Sequence, residues 1–294
     1  MNRRLPVRHS RGVTLIELVV VIALVGILGA LIVNFIAPVR SYIDTTRRAA
    51  LADAADTALR RIGRDLHLAL PNSVRVASAG GVSHIELLLV RTAGRYRIDS
   101  GGTNHCGGGA TDDPLTFGSS DTCFMTIGST PNLAQVTTSD YVVVFNLQPG
   151  TDKADAYQTS CATACNKSHT SPVPTAFAGE DKIEFAGNTF TYESPGNRFF
   201  IIEGAVSYVC DPTAGTLTRR WGYTPTSGAT ATTAFGGGSS ALMASGVSGC
   251  SFSYDAVSQG AGLANLQLTL STTDSRGNAE SVALYHAVHV NNIP

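Results

Sequence analysis

Few residue types able to do chemistry are grouped in this sequence, and one of them stands in an unexpected place. Glu17 interrupts the stretch RGVTLIELVV at residues 11–20, a carboxylate four residues into an apolar run. An ionised carboxylate in hydrocarbon costs a few kcal/mol on insertion scales and marks a functional contact with a partner. Cys161-x-x-x-Cys165-x-x-x-His169 offers two thiolates and an imidazole to a soft metal. No second cluster completes a tetrahedral set, so disulfide use outweighs zinc. His286 and His289 of the HAVH stretch fall on an expected strand three apart, which points them to opposite faces, one half-buried and one exposed. Asp112 with Asp113, and Asp152 with Asp155, are acid pairs in expected loops; they fall short of the ligand count of a calcium loop and read as solvated turns. Arg219-Arg220-Trp221 with Tyr223 joins basic and aromatic groups as a platform for single-stranded DNA or sugar does, but an alternating strand with one polar face accounts for it more simply. The sequence has no G-x-S-x-G, no H-E-x-x-H, no phosphate-binding glycine loop and no supported carboxylate dyad. The expectation is a non-enzyme without metal or cofactor.

The chain has 294 residues, 43% of them apolar and 15% charged, enough for a sizeable core and for one large or two small domains. Its formal charge of −1 is uneven. Arg3, Arg4, Arg8 and Arg11 lie before residue 12 without a single acid, so the remainder holds 21 − 4 = 17 bases against 22 acids, a net −5. That balance argues against a nucleic-acid-binding surface set by bulk charge. All six cysteines, Cys106, Cys123, Cys161, Cys165, Cys210 and Cys250, lie beyond residue 100. An even number behind a membrane segment points to disulfides in an oxidising compartment, with 15 connectivities open.

The element that positions Glu17 is a helix. Residues 18–33 read LVVVIALVGILGALIV, sixteen positions without a polar side chain, and the segment 13–37 adds only Thr14, Glu17 and Asn34. At about 1.5 Å per residue those positions span roughly 37 Å, enough to cross a bilayer. The four arginines keep the N-terminus in the cytoplasm and send the rest across. No small-residue cleavage site follows the apolar core as it does in a secretory signal. If a peptidase cuts between Gly12 and Val13, the new α-amino group stands one helical turn from Glu17, and the acid gains a cation in its own chain or a neighbour's.

RGVTLIELVVVIALVGIL resembles the prepilin signature of type IV pilins and type II secretion pseudopilins: a short basic leader, a glycine, one hydrophobic residue, then TLIEL and a long apolar helix. The resemblance implies Gly12 as the last leader residue, Val13 as the N-methylated mature terminus in place of the usual phenylalanine, and Glu17 as the acid that docks subunits. It implies a prepilin peptidase, other major and minor pilins, and the inner-membrane assembly machinery as partners.

After Pro38 the pattern becomes amphipathic. Ile43, Leu51, Ala55, Ala58, Ile62, Leu66 and Leu70 recur mostly three or four apart, and Asp44 with Arg48 and Asp56 with Arg60 are acid-first i, i+4 pairs. The helix is expected to run to about Ala69, with bends at Gly26, Gly29 and Pro38. Beyond residue 72 alternation predicts strands at 84–90, 123–127, 141–147, 182–185, 189–193, 198–210, 216–223, 250–254, 264–271 and 281–290. Hairpin turns are expected at Ala186-Gly187-Asn188, at Pro195-Gly196-Asn197, at residues 211–215 and at 274–278. Three stretches rich in Gly, Ser, Thr and Ala, at 99–122, 148–180 and 224–249, read as long surface loops stapled by disulfides.

AVSYVCDPTAGTLTRRWGY, LMASGVSGCSFSY and the closing VALYHAVHVNNIP are similar to the large MshO-like minor pilins of the MSHA-type pilus system, relatives of PilW-like minor pilins and of large minor pseudopilins. That resemblance implies a Cys210–Cys250 bridge between two strands and loop closures Cys106–Cys123 and Cys161–Cys165. The whole reads as an α+β pilin fold: leader 1–12, removed; transmembrane or filament-core helix 13–38; amphipathic helix 39–71; and an antiparallel β domain 72–294. The function it implies is a minor type IV pilin that assembles at a pilus tip or primes assembly and supports adhesion. The alternatives are a type II secretion pseudopilin and a membrane-anchored ligand-binding module. The expected locations are the bacterial inner membrane, with the β domain periplasmic, and then the pilus on the cell surface.

Overall fold

Thr14 opens helix α1 (Leu15–His67), 53 residues in one helical element that passes through Gly26, Gly29 and Pro38. The computed structural model describes residues 12–99, 106, 114–158, 164–171, 174–177, 179–258, 260–273 and 277–294, and within α1 the side chains of all residues but 33–41, 43 and 44. Arg64 and His67 sit in the last turn, where positive charge suits the helix dipole. The helix stops two residues short of the sequence expectation because the chain beyond it is captured by a strand: Leu70 N–H donates to Leu88 at 2.8 Å and Val90 N–H donates to Leu68 at 2.9 Å.

Thirteen strands follow among the described residues. They are β1 (Arg75–Ala79), β2 (Val82–Arg95), β3 (Asp121–Met125), β4 (Tyr141–Val144), β5 (Lys167–His169), β6 (Thr175–Phe177) and β7 (Glu180–Asn188). Then come β8 (Arg198–Asp211), β9 (Thr216–Trp221), β10 (Ser239–Ser245), β11 (Val247–Ser258), β12 (Ala261–Thr273) and β13 (Ala279–Asn291). All strand pairings between them are antiparallel. Seven strands form the largest sheet, ordered β1-β2-β8-β4-β5, with β9 on the second half of β8 and β10 beyond it. β11-β12-β13 and β3-β7-β6 form two smaller sheets.

The C-terminal quarter of α1 supplies the core. Ala55, Ala58, Leu59, Ile62 and Leu66 share one helix face and are buried with Ile85, Leu87, Tyr208, Leu266, Leu268, Val288 and Val290, so one cluster joins the helix to both the seven-stranded sheet and the β11-β12-β13 sheet. Gly63 lies at the closest approach, where a Cβ would stand 3.2 Å from His286 Nε2 and 3.5 Å from Val288. A second cluster is aromatic: Tyr96, Phe124, Phe185, Phe190 and Phe199 fill the space between β3-β7-β6 and the first half of β8.

Several expectations need correction. No hairpin forms at Ala186-Gly187-Asn188; those residues continue β7, and Asn188 pairs with Asp121. Phe190 accounts for this, because it leaves the sheet to pack edge-on against Phe185 at 5.4 Å, which draws residues 189–193 out of register. The stretches read as loops also contain β5, β6 and β10, whose Ser, Thr and Ala residues lack a hydrophobic alternation of their own and become strands through the neighbours they pair with. The 211–215 turn is present: Asp211 Oδ1 accepts from the N–H groups of Thr213 and Ala214, both at 2.9 Å. Residues 274–276 lie outside those described.

Candidate functional site

The N-terminal end of α1 is built by two side chains. Thr14 is extended (φ −78°, ψ 152°) and its Oγ1 accepts from the Glu17 N–H at 3.3 Å. Glu17 Oε2 accepts in return from the Thr14 N–H at 3.5 Å. The pair is a capping box, and it gives Glu17 a role that holds with or without cleavage: it satisfies an orphan donor and sets negative charge at the positive end of the helix dipole. The signal is in the sequence as Thr-x-x-Glu ahead of an apolar run. Gly12 and Val13 precede the helix in open space, with nothing within 4 Å of a Cβ placed on Gly12.

Behind the cap, Leu15–Ile32 is apolar enough to cross a membrane, with a mean hydropathy of 3.0, and none of it is buried in the fold. Leu15 is 81% exposed and Ile16 69%. A face this apolar and this bare requires lipid or other apolar helices around it. Residues 7–33 match the prokaryotic N-terminal methylation motif. This chain carries a prepilin-like N-terminus. No curated protein and no solved structure matches the chain. The motif covers the N-terminus alone; it indicates a type IV pilin-like or pseudopilin-like prepilin substrate, and with that processing by prepilin peptidase and assembly with other pilins. The apolar helix and the methylation motif together fit a single-pass membrane anchor, and the helix with its antiparallel sheets fits an α+β pilin-like layout.

The domain carried behind the motif holds disulfides where they were expected. Cys106–Cys123 closes the loop ahead of β3, and Cys210–Cys250 ties β8 of the large sheet to β11 of the β11-β12-β13 sheet. Cys165 is also disulfide-bonded, and Cys161 lies outside the described residues. The other chemistry-bearing residues take structural places. Asp155 is not in a solvated turn but buried, its Oδ2 accepting from the Gly150 N–H and its Oδ1 from the Tyr157 N–H, both at 2.8 Å. Asp152 stays exposed, and Asp112 and Asp113 fall outside the described residues. Arg219 is drawn inward to Asp65 at 2.9 Å, where Tyr208 also donates at 2.7 Å, and Arg220 lies over Phe235. Tyr223 is buried with its hydroxyl donated to Glu86, so the Arg-Arg-Trp-x-Tyr stretch does not present a stacking platform. His289 is exposed, as expected of one of the pair; His286 is exposed too, although it leans on Gly63. Among the described residues no group of three or more His, Cys, Asp or Glu side chains could hold a metal.

A buried ion pair went unnoticed in the sequence. Arg75 Nε donates to Glu86 Oε2 at 2.7 Å, with the two side chains 1% and 0% exposed. Glu86 also accepts from Tyr223 and from the Thr232 N–H and hydroxyl, while Arg75 reaches the carbonyls of Thr226 and Gly228 and stacks over Tyr157 at 3.5 Å. The network pins residues 226–232 to the β1–β2 hairpin. Burial, with Glu86 close by, raises the Tyr157 and Tyr223 phenols well above their usual range, and burial with an Asp65 hydrogen bond does the same to Tyr208.

Proposed function

We propose that this chain is a minor type IV pilin of the MshO-like kind, cleaved between Gly12 and Val13, methylated on Val13, and inserted into a pilus as a tip or priming subunit that supports adhesion. The observation that carries this reading is the methylation motif at residues 7–33 leading without interruption into a bare apolar helix whose far end is built into the β domain. On this reading residues 1–12 are a cytoplasmic leader, 13–38 the membrane and filament-core helix, 39–71 the amphipathic spine, and 72–294 the periplasmic domain later carried to the cell surface. The MshO-like assignment draws on the C-terminal resemblance, and the minor role on bulk: a domain with three long connecting stretches suits a tip, where one layer of neighbours constrains it, better than a repeating lattice.

Docking follows from charge. The amine freed at Val13 can meet Glu17 of a neighbouring subunit; at about 4 Å and an effective dielectric near 20 such a pair is worth on the order of 4 kcal/mol, well above the roughly 1 kcal/mol of a helix cap. Mass spectrometry of the protein from native membranes tests the processing step. The expected result is a mature N-terminus at Val13 carrying one methyl group, lost when the prepilin peptidase is deleted; an uncleaved chain refutes it. Deleting the gene should abolish or shorten pili and leave exoprotein export intact. Loss of export with normal pili would assign the chain to type II secretion instead.

A further inference from the structure

The largest sheet has a break. β4 pairs with β8 from Phe199 to Ile202, and β9 takes up the same edge of β8 only from Val206 onward. Between them Glu203 is bulged out of the β2 ladder, and Gly204, at φ +128°, and Ala205 pair only with β2. A cleft of about 450 Å³ opens at this break. Its floor is Leu88, Ile202 and Ala205; β4 and β5 form one wall, and the chain from Gly222 to Pro225 forms the other. The volume lies within the range of small-molecule sites, and glycines at 204 and 222 leave the backbone open to close approach.

Two features of the walls select a ligand. Tyr141 and His169 pack ring against ring, tilted by 32° with centroids 3.8 Å apart, and give the cleft an aromatic side. Lys167, 5.3 Å from the Tyr141 ring, donates to the Ala156 carbonyl at 2.6 Å, and among the described residues no carboxylate forms an ion pair with it. The nearest acid to act on it, Asp155, is already committed to two backbone N–H groups. Burial lowers the Lys167 amine to about 8 while Asp155 opposes the shift, which leaves it charged at neutral pH with no carboxylate in ion-pair contact among the described residues. A ligand carboxylate would supply that contact. A polyanion fits less well, because Glu203 lines the same cleft and Lys167 is the one lysine or arginine among the described residues that line it.

We propose that this cleft binds a uronate, a sugar ring bearing one carboxylate, with the carboxylate on Lys167 and the ring face against Tyr141 and His169. The ring C–H groups pack on the aromatic side, while the side-chain oxygen of Asn188, whose amide N–H donates to the Cys165 carbonyl at 2.9 Å, and the open strand edge at Gly204 are placed to meet hydroxyls.

The test is saturation-transfer NMR on the full chain in a non-glycosidic detergent, with D-glucuronate, D-glucose and benzoate as probes. A tetraglucuronate distinguishes a free acid from a polysaccharide residue: tighter binding of the oligomer indicates the polymer, equal binding the free acid. The expected result is saturable transfer from glucuronate, at least tenfold weaker for glucose and for benzoate, and abolished by Lys167→Met. If Lys167→Met disturbs folding, Ala186→Trp, at an exposed position lining the cleft, should block binding while leaving the amine in place. Equal binding of glucose, tighter binding of benzoate, displacement by a single-stranded DNA oligonucleotide, or unchanged binding in a folded Ala186→Trp protein would overturn the proposal.

Discussion

Removing the Cys210–Cys250 bridge is the sharpest test of how the two halves of the β domain are held together. The bridge joins residues 40 apart in sequence, and Cys210 is fully buried in the same cluster as Ile62 and Leu66. In the chain-entropy account a closed loop of about 40 residues restrains the unfolded chain by roughly 4 kcal/mol, against about 3 for the 17-residue separation of Cys106–Cys123. The Cys210→Ala/Cys250→Ala protein should therefore lose about 4 kcal/mol, a large share of the stability of a typical domain. Urea unfolding of the full chain in detergent, followed by the fluorescence of its single tryptophan, Trp221 on β9 next to β8, reads this directly. Cys106→Ala/Cys123→Ala serves as the comparison and should lose less. A loss below about 1 kcal/mol for the first pair, or a larger loss for the second, would refute the account of the bridge as the main covalent restraint between the two sheets.

Glu17→Gln keeps a side chain able to complete the capping box and removes the charge, whereas Glu17→Ala removes both. If the charge docks subunits, both variants should reach the membrane and both should fall out of purified pili by tenfold or more on immunoblots; normal incorporation of Glu17→Gln would leave capping as the whole role. Breaking the buried pair with Glu86→Ala should destabilise by about 3 to 5 kcal/mol, because Arg75 would be left charged and buried. The double change Arg75→Met/Glu86→Leu should lose clearly less in the same urea assay, and equal losses would contradict the argument. Tyr157, Tyr208 and Tyr223 hold their protons more tightly folded than unfolded. Their contribution is complete below the ordinary tyrosine value near 10 and is lost as pH rises past it, so the urea midpoint should fall between pH 10 and 11.5.

The long helix and most long strands were legible because their signals are local. Sixteen apolar residues in a row, a three-and-four spacing from Ala55 to Leu66, and alternation through β8, β12 and β13 each announce an element without reference to anything distant. The misses depended on partners. β5 and β10 are strands because β4 and β9 offer them an edge, and Phe190 abandons its expected strand for an aromatic cluster gathered from three parts of the chain. Arg75 and Glu86 are eleven residues apart on a hairpin, but only the folded β2 register and the distant Thr232 reveal that they meet in a dry interior. The N-terminal signal was the most legible part, since Gly12, Val13, Thr14 and Glu17 fall within six residues and the methylation motif spans them. Even there the capping box shows that one carboxylate can serve the helix before it serves a neighbour.

Leu15–Ile32, eighteen residues and roughly 27 Å of helix, buries no side chain in the domain, whereas Arg47, Arg48 and Leu51 already touch it. Acyl chains are about as apolar as leucine side chains, so moving this rod from a bilayer into a sheath of similar helices exchanges two nearly degenerate surroundings. The large hydrophobic energy of the segment then cancels from the balance. What remains to set the direction of travel is small: a charge pair, a few packing contacts, and mechanical work supplied from outside. A rod with two such equivalent homes can be withdrawn from one reservoir and returned to the other many times without unfolding the domain at its end.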